Sequence, residues 1–117
     1  MGQKKAFNKI IRLDPFPFDI MVHFGDKKQL EKTLGKYGLV ENTIARTLML
    51  DTNQVILYLK EKPKDINGYS LLAHEIFHCV DLVLRKVGIS LSDDSDEIYA
   101  YCIQYLTKQI YIALKIK

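Results

Sequence analysis

Cysteine is scarce in this chain of 117 residues, with only Cys79 and Cys102. Two thiols do not make a disulfide framework, and both fall among apolar residues, so free buried thiols in a reducing compartment are expected. Long apolar runs are missing too. Charges interrupt each one well short of the ~20 residues that a membrane-spanning helix needs, so no membrane anchor is expected. The basic residues Lys4 and Lys5 have no apolar stretch behind them to act as a signal peptide. After Met1-Gly2, Ala6 stands where a myristoylation motif wants Ser or Thr. There are three prolines, and neither repeats nor low-complexity linkers interrupt the chain, which gives one domain over 1–117. A formal charge of +3 is mild. Lys4, Lys5, Lys9 and Arg12, with Lys115 and Lys117, lack the broad basic stripe and interleaved aromatics of a nucleic-acid surface. The N-terminal cluster reads as a solvated arm. Neither a nucleic-acid nor a membrane partner is expected.

Histidine is equally scarce, yet two of the three histidines sit in one pentapeptide, His74-Glu75-Ile76-Phe77-His78. Residues four apart share a helix face, so both imidazoles can reach one metal ion. Glu75 lies where a zinc hydrolase needs a general base beside water. The plainer interpretation is two histidines on a half-buried amphipathic helix, with Glu75 towards solvent.

A tetrahedral zinc site needs a third protein ligand besides these two and water. Asp81 lies near the same face but only extends the line of the histidines, and it is well spaced for an i,i+4 ion pair with Arg85. It is kept as a group behind a ligand. Cys79 points about a quarter-turn away from His78, which argues against a thiolate site. Gly88 stops the motif helix. A loop of Ser and Asp follows, and a second helix starts at about Asp94 or Ser95. A short connection makes the two helices antiparallel neighbours, so Glu97 can come back over the metal. Its simpler role is to favour the positive end of the helix dipole, which Asp93, Asp94 and Asp96 already serve. Tyr101, four residues past Glu97, is the first choice for a donor to the oxyanion, with Tyr69 and His23 as alternatives. A core tyrosine is the competing reading for Tyr101.

Upstream, a strand is expected at Asp19 to Phe24, with Ile20, Val22 and Phe24 on one face. Asp14-Pro15-Phe16-Pro17-Phe18 is an extended lead-in to it. Gly25-Asp26 can cap a helix from Lys27 to about Lys36, with Leu30 and Leu34 as its core stripe and Gly35 and Gly38 at its end. Thr43 to Leu50 and Gln54 to Lys60 form a hairpin across Asp51-Thr52-Asn53. Asp65 or Asn67 caps the motif helix. The order β-α-β-β-α-α gives an α+β domain, a small and mostly antiparallel sheet packed on two C-terminal helices that carry the zinc site. The strand from Gln54 to Lys60 is either an edge that holds an extended peptide or a core strand.

The pentapeptide, eighteen intervening residues and Glu97 resemble the gluzincin pattern of HExxH metallopeptidases, in which a downstream helical glutamate completes the zinc site. Asp96-Glu-Ile-Tyr-Ala-Tyr101 is similar to the Asn-Glu-x-Phe-Ala-x-Tyr segment of aminopeptidase-type gluzincins. It is similar also to the Glu-Ala-Asn-x-Phe-Ala helix of ImmA-type zincins, although Tyr101 stands where that type favours Asn. The long C-terminal subdomain of larger gluzincins is missing. In size the chain resembles single-domain minigluzincins and small HExxH proteins of phage genomes. The resemblance implies one Zn²⁺ per chain on His74, His78 and Glu97, and zinc-dependent hydrolysis of a peptide or protein substrate. On this reading, activity that is latent or dependent on a protein partner completing the cleft is expected. A cytoplasmic or virion-associated location fits this reading. The alternative is a non-catalytic zinc-binding component of a larger assembly, such as a phage particle. An ImmA-like regulator shares the chemistry but requires a specific protein substrate.

Overall fold

A computed structural model of the chain describes residues 6–28, 30 and 43–116. Four strands, β1 (Phe7–Arg12), β2 (Asp19–Phe24), β3 (Ala45–Met49) and β4 (Gln54–Leu59), precede two helices, α1 (Ile66–Lys86) and α2 (Asp96–Ala113). The sheet order is β1-β2-β4-β3. β1 pairs with β2 and β3 with β4 antiparallel, while β2 and β4 run parallel. The architecture is α+β, with a mostly antiparallel sheet against two C-terminal helices.

The sheet alternates as a pleated surface must. Ile20, Val22 and Phe24 of β2 and Val55, Leu57 and Leu59 of β4 face the helices and are buried. Ile56 and Tyr58 pack on the other side with Leu30, Met21, Leu48 and Leu50. Covered on both faces, β4 is apolar from Val55 to Leu59 without alternation, as a doubly buried strand requires. The hairpin turns at Asn53, where the positive φ of 61° suits a side chain that tolerates left-handed backbone.

The motif helix has both of its ends written into the sequence. Asp65 caps it, its carboxylate accepting from the Gly68 amide at 2.9 Å. Gly88, at φ 89°, ends it. The Ile89 amide reaches back to the Leu84 carbonyl and the Gly88 amide to that of Arg85, the paired bonds of a Schellman motif. Between the caps, Leu72, Ile76, Cys79, Val80, Val83 and Leu84 form the buried stripe. α2 presents Tyr99, Leu106 and Ile110 to the same core.

Two expectations need correction. Phe7–Arg12 is a strand, where a solvated arm was expected. Lys9 and Arg12 are exposed as charges on an edge strand should be, while Ile11 is buried and Phe7 stacks on Phe24 at 5.2 Å. The strand order is therefore one β longer than β-α-β-β-α-α. Of the two positions considered for β4, the core one is found, so it offers no edge to a peptide; the edge beside the motif helix is β3. Of the helix expected from Lys27 to about Lys36, Lys27, Lys28 and Leu30 are helical, and the remainder lies outside the described residues. The Asp26 carboxylate accepts from the Lys28 amide at its start.

Because Leu57 is fully buried at the centre of the sheet, Leu57→Ala should lower unfolding free energy by about 2–5 kcal/mol. Ile10→Ala, at a side chain 57% exposed, should cost under about 0.5 kcal/mol. Urea denaturation of the two variants checks the assignment of inner and outer faces.

Candidate metal centre and base

The phase of α1 divides the pentapeptide. Residues 72, 75, 76 and 79 turn inward, while His74, Phe77 and His78 stay at the surface. The two imidazoles converge, with Nε2 of His78 3.0 Å from Nε2 of His74 and the rings at 73°. Two zinc–nitrogen bonds of about 2.0–2.1 Å at a tetrahedral angle hold their nitrogens about 3.3 Å apart. The pair thus meets the spacing of a shared metal ion to within a few tenths of an ångström.

Glu75 is buried, the one acidic side chain so placed among the described residues. Its carboxylate has two different sides. Oε1 accepts from the Thr47 hydroxyl of β3 at 2.7 Å, and Oε2 lies 4.0 Å from Nε2 of His74. A carboxylate removed from water needs a compensating hydrogen bond, and Thr47 supplies it on the side away from the histidines. The other oxygen is left facing the point where the imidazoles meet. Cys79, one turn on, places its Sγ 3.9 Å from the Thr47 hydroxyl. Burial pushes its thiol pKa far up, with the nearby Glu75 charge adding to the rise against the lowering effect of Thr47. Cys79 is therefore a packing residue, not a thiolate ligand. Cys102 is also free, its pKa likewise raised by burial.

Thr47 was not identified from sequence. The signal available was a polar residue in register with Ala45 and Met49, on the strand face that turns towards the helices.

α2 crosses beside this site on contacts that exclude Glu97. The Tyr99 hydroxyl donates to Oδ1 of Asp81 at 3.0 Å, and its ring stacks on Phe77 at 6.4 Å. Asp81 is occupied on its other side by Arg85, whose Nε lies 3.0 Å from Oδ2. The i,i+4 pair is thus formed, and Asp81 holds the two helices together. Glu97 precedes Tyr99 by two residues, about 200° of helical rotation, so it and Tyr101 fall on the outward side of α2. Both are exposed, Tyr101 at 65%. Among the described residues, no three His, Cys, Asp or Glu side chains form a group able to hold a metal. His74 and His78 are brought together with Glu75; Glu97 and Tyr101 are not brought to them. Two of the three expected donors are thus together, with the Glu75 carboxylate beside them.

The two alternatives for the oxyanion donor are elsewhere. His23 is buried on the sheet face away from the helices, between Asn8 and the Asp26 carbonyl, and stacks on Tyr58. Tyr69 packs edge-to-face on Tyr111, which lies fourteen residues, about 21 Å, along α2 from Glu97.

No family model, curated protein or solved structure matches the chain. Among the described residues, no helix is long and apolar enough to cross a membrane.

Removing the Thr47 hydroxyl leaves a buried carboxylate oxygen without its donor. Thr47→Val should therefore cost about 1–3 kcal/mol of stability, and Thr47→Ser, which keeps the donor, clearly less. Chemical denaturation of the two variants distinguishes a lost hydrogen bond from lost packing.

Proposed function

We propose that the chain is a minimal zinc-dependent peptide hydrolase whose centre is built on His74, Glu75 and His78. The observation that supports this most is the division of labour within one helical turn. Two surface imidazoles point their Nε2 atoms at each other 3.0 Å apart, and a buried carboxylate is tethered with one oxygen towards them.

In this reading His74 and His78 would hold one Zn²⁺, and Glu97, which faces outward on α2, is the proposed third ligand. Its support is the sequence spacing and its place in the first turn of a helix that packs beside α1. The chemistry that zinc supplies at such a point is Lewis acidity, which lowers the pKa of water and polarises a carbonyl. Glu75 accepts the proton that the attacking water gives up and delivers it to the leaving amine. Thr47 holds the carboxylate in one orientation, so that the basic oxygen does not turn away from the reacting centre. Tyr101 remains the proposed oxyanion donor on its sequence spacing from Glu97 alone, its side chain being exposed on the outward side of α2.

The purified protein should bind about one zinc per chain. His74→Ala should abolish binding, and Glu97→Gln should weaken it greatly, because a neutral amide is a poor zinc ligand. Metal analysis after dialysis checks both, and stoichiometric zinc in Glu97→Gln would remove Glu97 from the ligand set.

Glu75→Gln should leave zinc content and melting temperature nearly unchanged, since Thr47 can still donate to the amide oxygen. It should abolish peptide hydrolysis. Cleavage of unstructured polypeptides by wild type and variant measures this. Equal inertness of the two with every substrate and partner would favour a non-catalytic zinc-binding role.

A further inference from the structure

Two imidazoles share a metal ion only when both rings occupy the right rotamer at the same time. His74 and His78 are exposed, and an exposed side chain samples several staggered rotamers. A ligating histidine is usually oriented by a hydrogen bond from its other ring nitrogen to a carboxylate or carbonyl. Among the described residues, Nδ1 of neither histidine has such a partner, and the two rings meet each other through Nε2. The contact that His78 does have on its other flank is with a ring.

Phe77 supplies that ring. Its centroid lies 5.9 Å from that of His78 with 61° between the planes, an edge contact within the range that aromatic pairs favour. Successive helix residues point about 100° apart and do not ordinarily face each other. The contact therefore depends on where the Phe77 ring is directed, and α2 directs it. The ring stacks on Tyr99 at 6.4 Å and 30°. Tyr99 is held in the core, 2% exposed, with its hydroxyl donating to Asp81 and to the Ile89 carbonyl. Tyr99, Phe77, His78 and His74 thus form a run of ring contacts from the core to the surface. Phe77 itself is 37% exposed, so only part of its surface serves the packing of α1 on α2.

We propose that Phe77 is a positioning residue for His78, holding its imidazole in the rotamer that converges on His74. The purpose of this hold rests on the zinc reading, while the hold itself belongs to the metal-free chain. It gives α2 a link to the histidine pair that does not pass through Glu97. Because His78 is restricted before a metal arrives, binding is spared the ordering of one side chain, which corresponds to about threefold to tenfold in affinity.

The test compares full-length wild type, Phe77→Ala, Phe77→Leu and Phe77→Tyr in two measurements. In the metal-free proteins, NMR scalar couplings and ring-to-ring NOEs report the χ1 distribution of His78. Wild type and Phe77→Tyr should show one rotamer, and Phe77→Ala and Phe77→Leu an average over several. Zinc affinity is then measured by competition with a chelator. It should fall about threefold to tenfold in Phe77→Ala and Phe77→Leu and be retained in Phe77→Tyr. Phe77→Leu keeps the apolar bulk, so its metal-free melting temperature should stay close to that of wild type, which separates positioning from packing. The same His78 rotamer distribution in wild type, Phe77→Ala and Phe77→Leu overturns the proposal. So does a wild type that binds zinc no more tightly than these two variants, and the zinc reading then still stands. If wild type binds no zinc, the zinc reading fails, and the rotamer measurement alone decides whether Phe77 holds His78.

Discussion

A carboxylate withdrawn from water has to be hydrogen-bonded, and Glu75 meets that requirement through a single hydroxyl from a different element, Thr47 of β3. Much of the arrangement around the site depends on this contact. The rotation of α1 that permits it is set by Leu72, Ile76 and Cys79, which enter the core on the same side as Glu75. That rotation leaves His74 and His78 at the surface with their nitrogens together. A turn of α1 by one residue position, about 100°, would expose core side chains and bury an imidazole. The apolar stripe and the polar site thus constrain each other.

The sheet order places Thr47 where it is needed. With β4 in the interior and β3 outside it, the helix-facing residues of the edge strand lie over the motif helix. A two-sided apolar strand such as β4 belongs in the interior, since either edge position would leave Ile56 or Leu57 near solvent. The hairpin then has only one place for its other strand. α2 is fastened separately, by Tyr99 to Asp81 and by its apolar stripe. Its outward side, with Glu97 and Tyr101, is set by the same stripe.

Features with strong local chemistry were legible in the sequence. The Asp65 cap, the Gly88 stop, the Asn53 turn and the alternation of Ile20, Val22 and Phe24 each have a local physical cause, and each is found. β1 was obscured because an edge strand keeps its charges exposed: Asn8, Lys9 and Arg12 hide the single fully buried residue, Ile11. The interior position of β4 is a matter of topology, and its apolar run alone suits an edge or a centre. The pentapeptide was legible as a helix turn with paired imidazoles. The facing of Glu97 was not, because the helix phase is decided by the packing of Tyr99, Leu106 and Ile110. Thr47 escaped because nothing within its own strand marks it; its partner lies 28 residues away.

That separation has a kinetic side. The motif helix and the hairpin are both local structures, and each can form on short chain segments at small entropic cost. The bond between Thr47 and Glu75 closes a far longer loop, and it requires the hairpin to have docked on the helix. A partly folded chain can therefore present its two histidines while the carboxylate is still free to rotate. The oriented Glu75 carboxylate belongs to the finished tertiary structure, so the arrangement beside the histidine pair is complete only once the hairpin has docked on the helix.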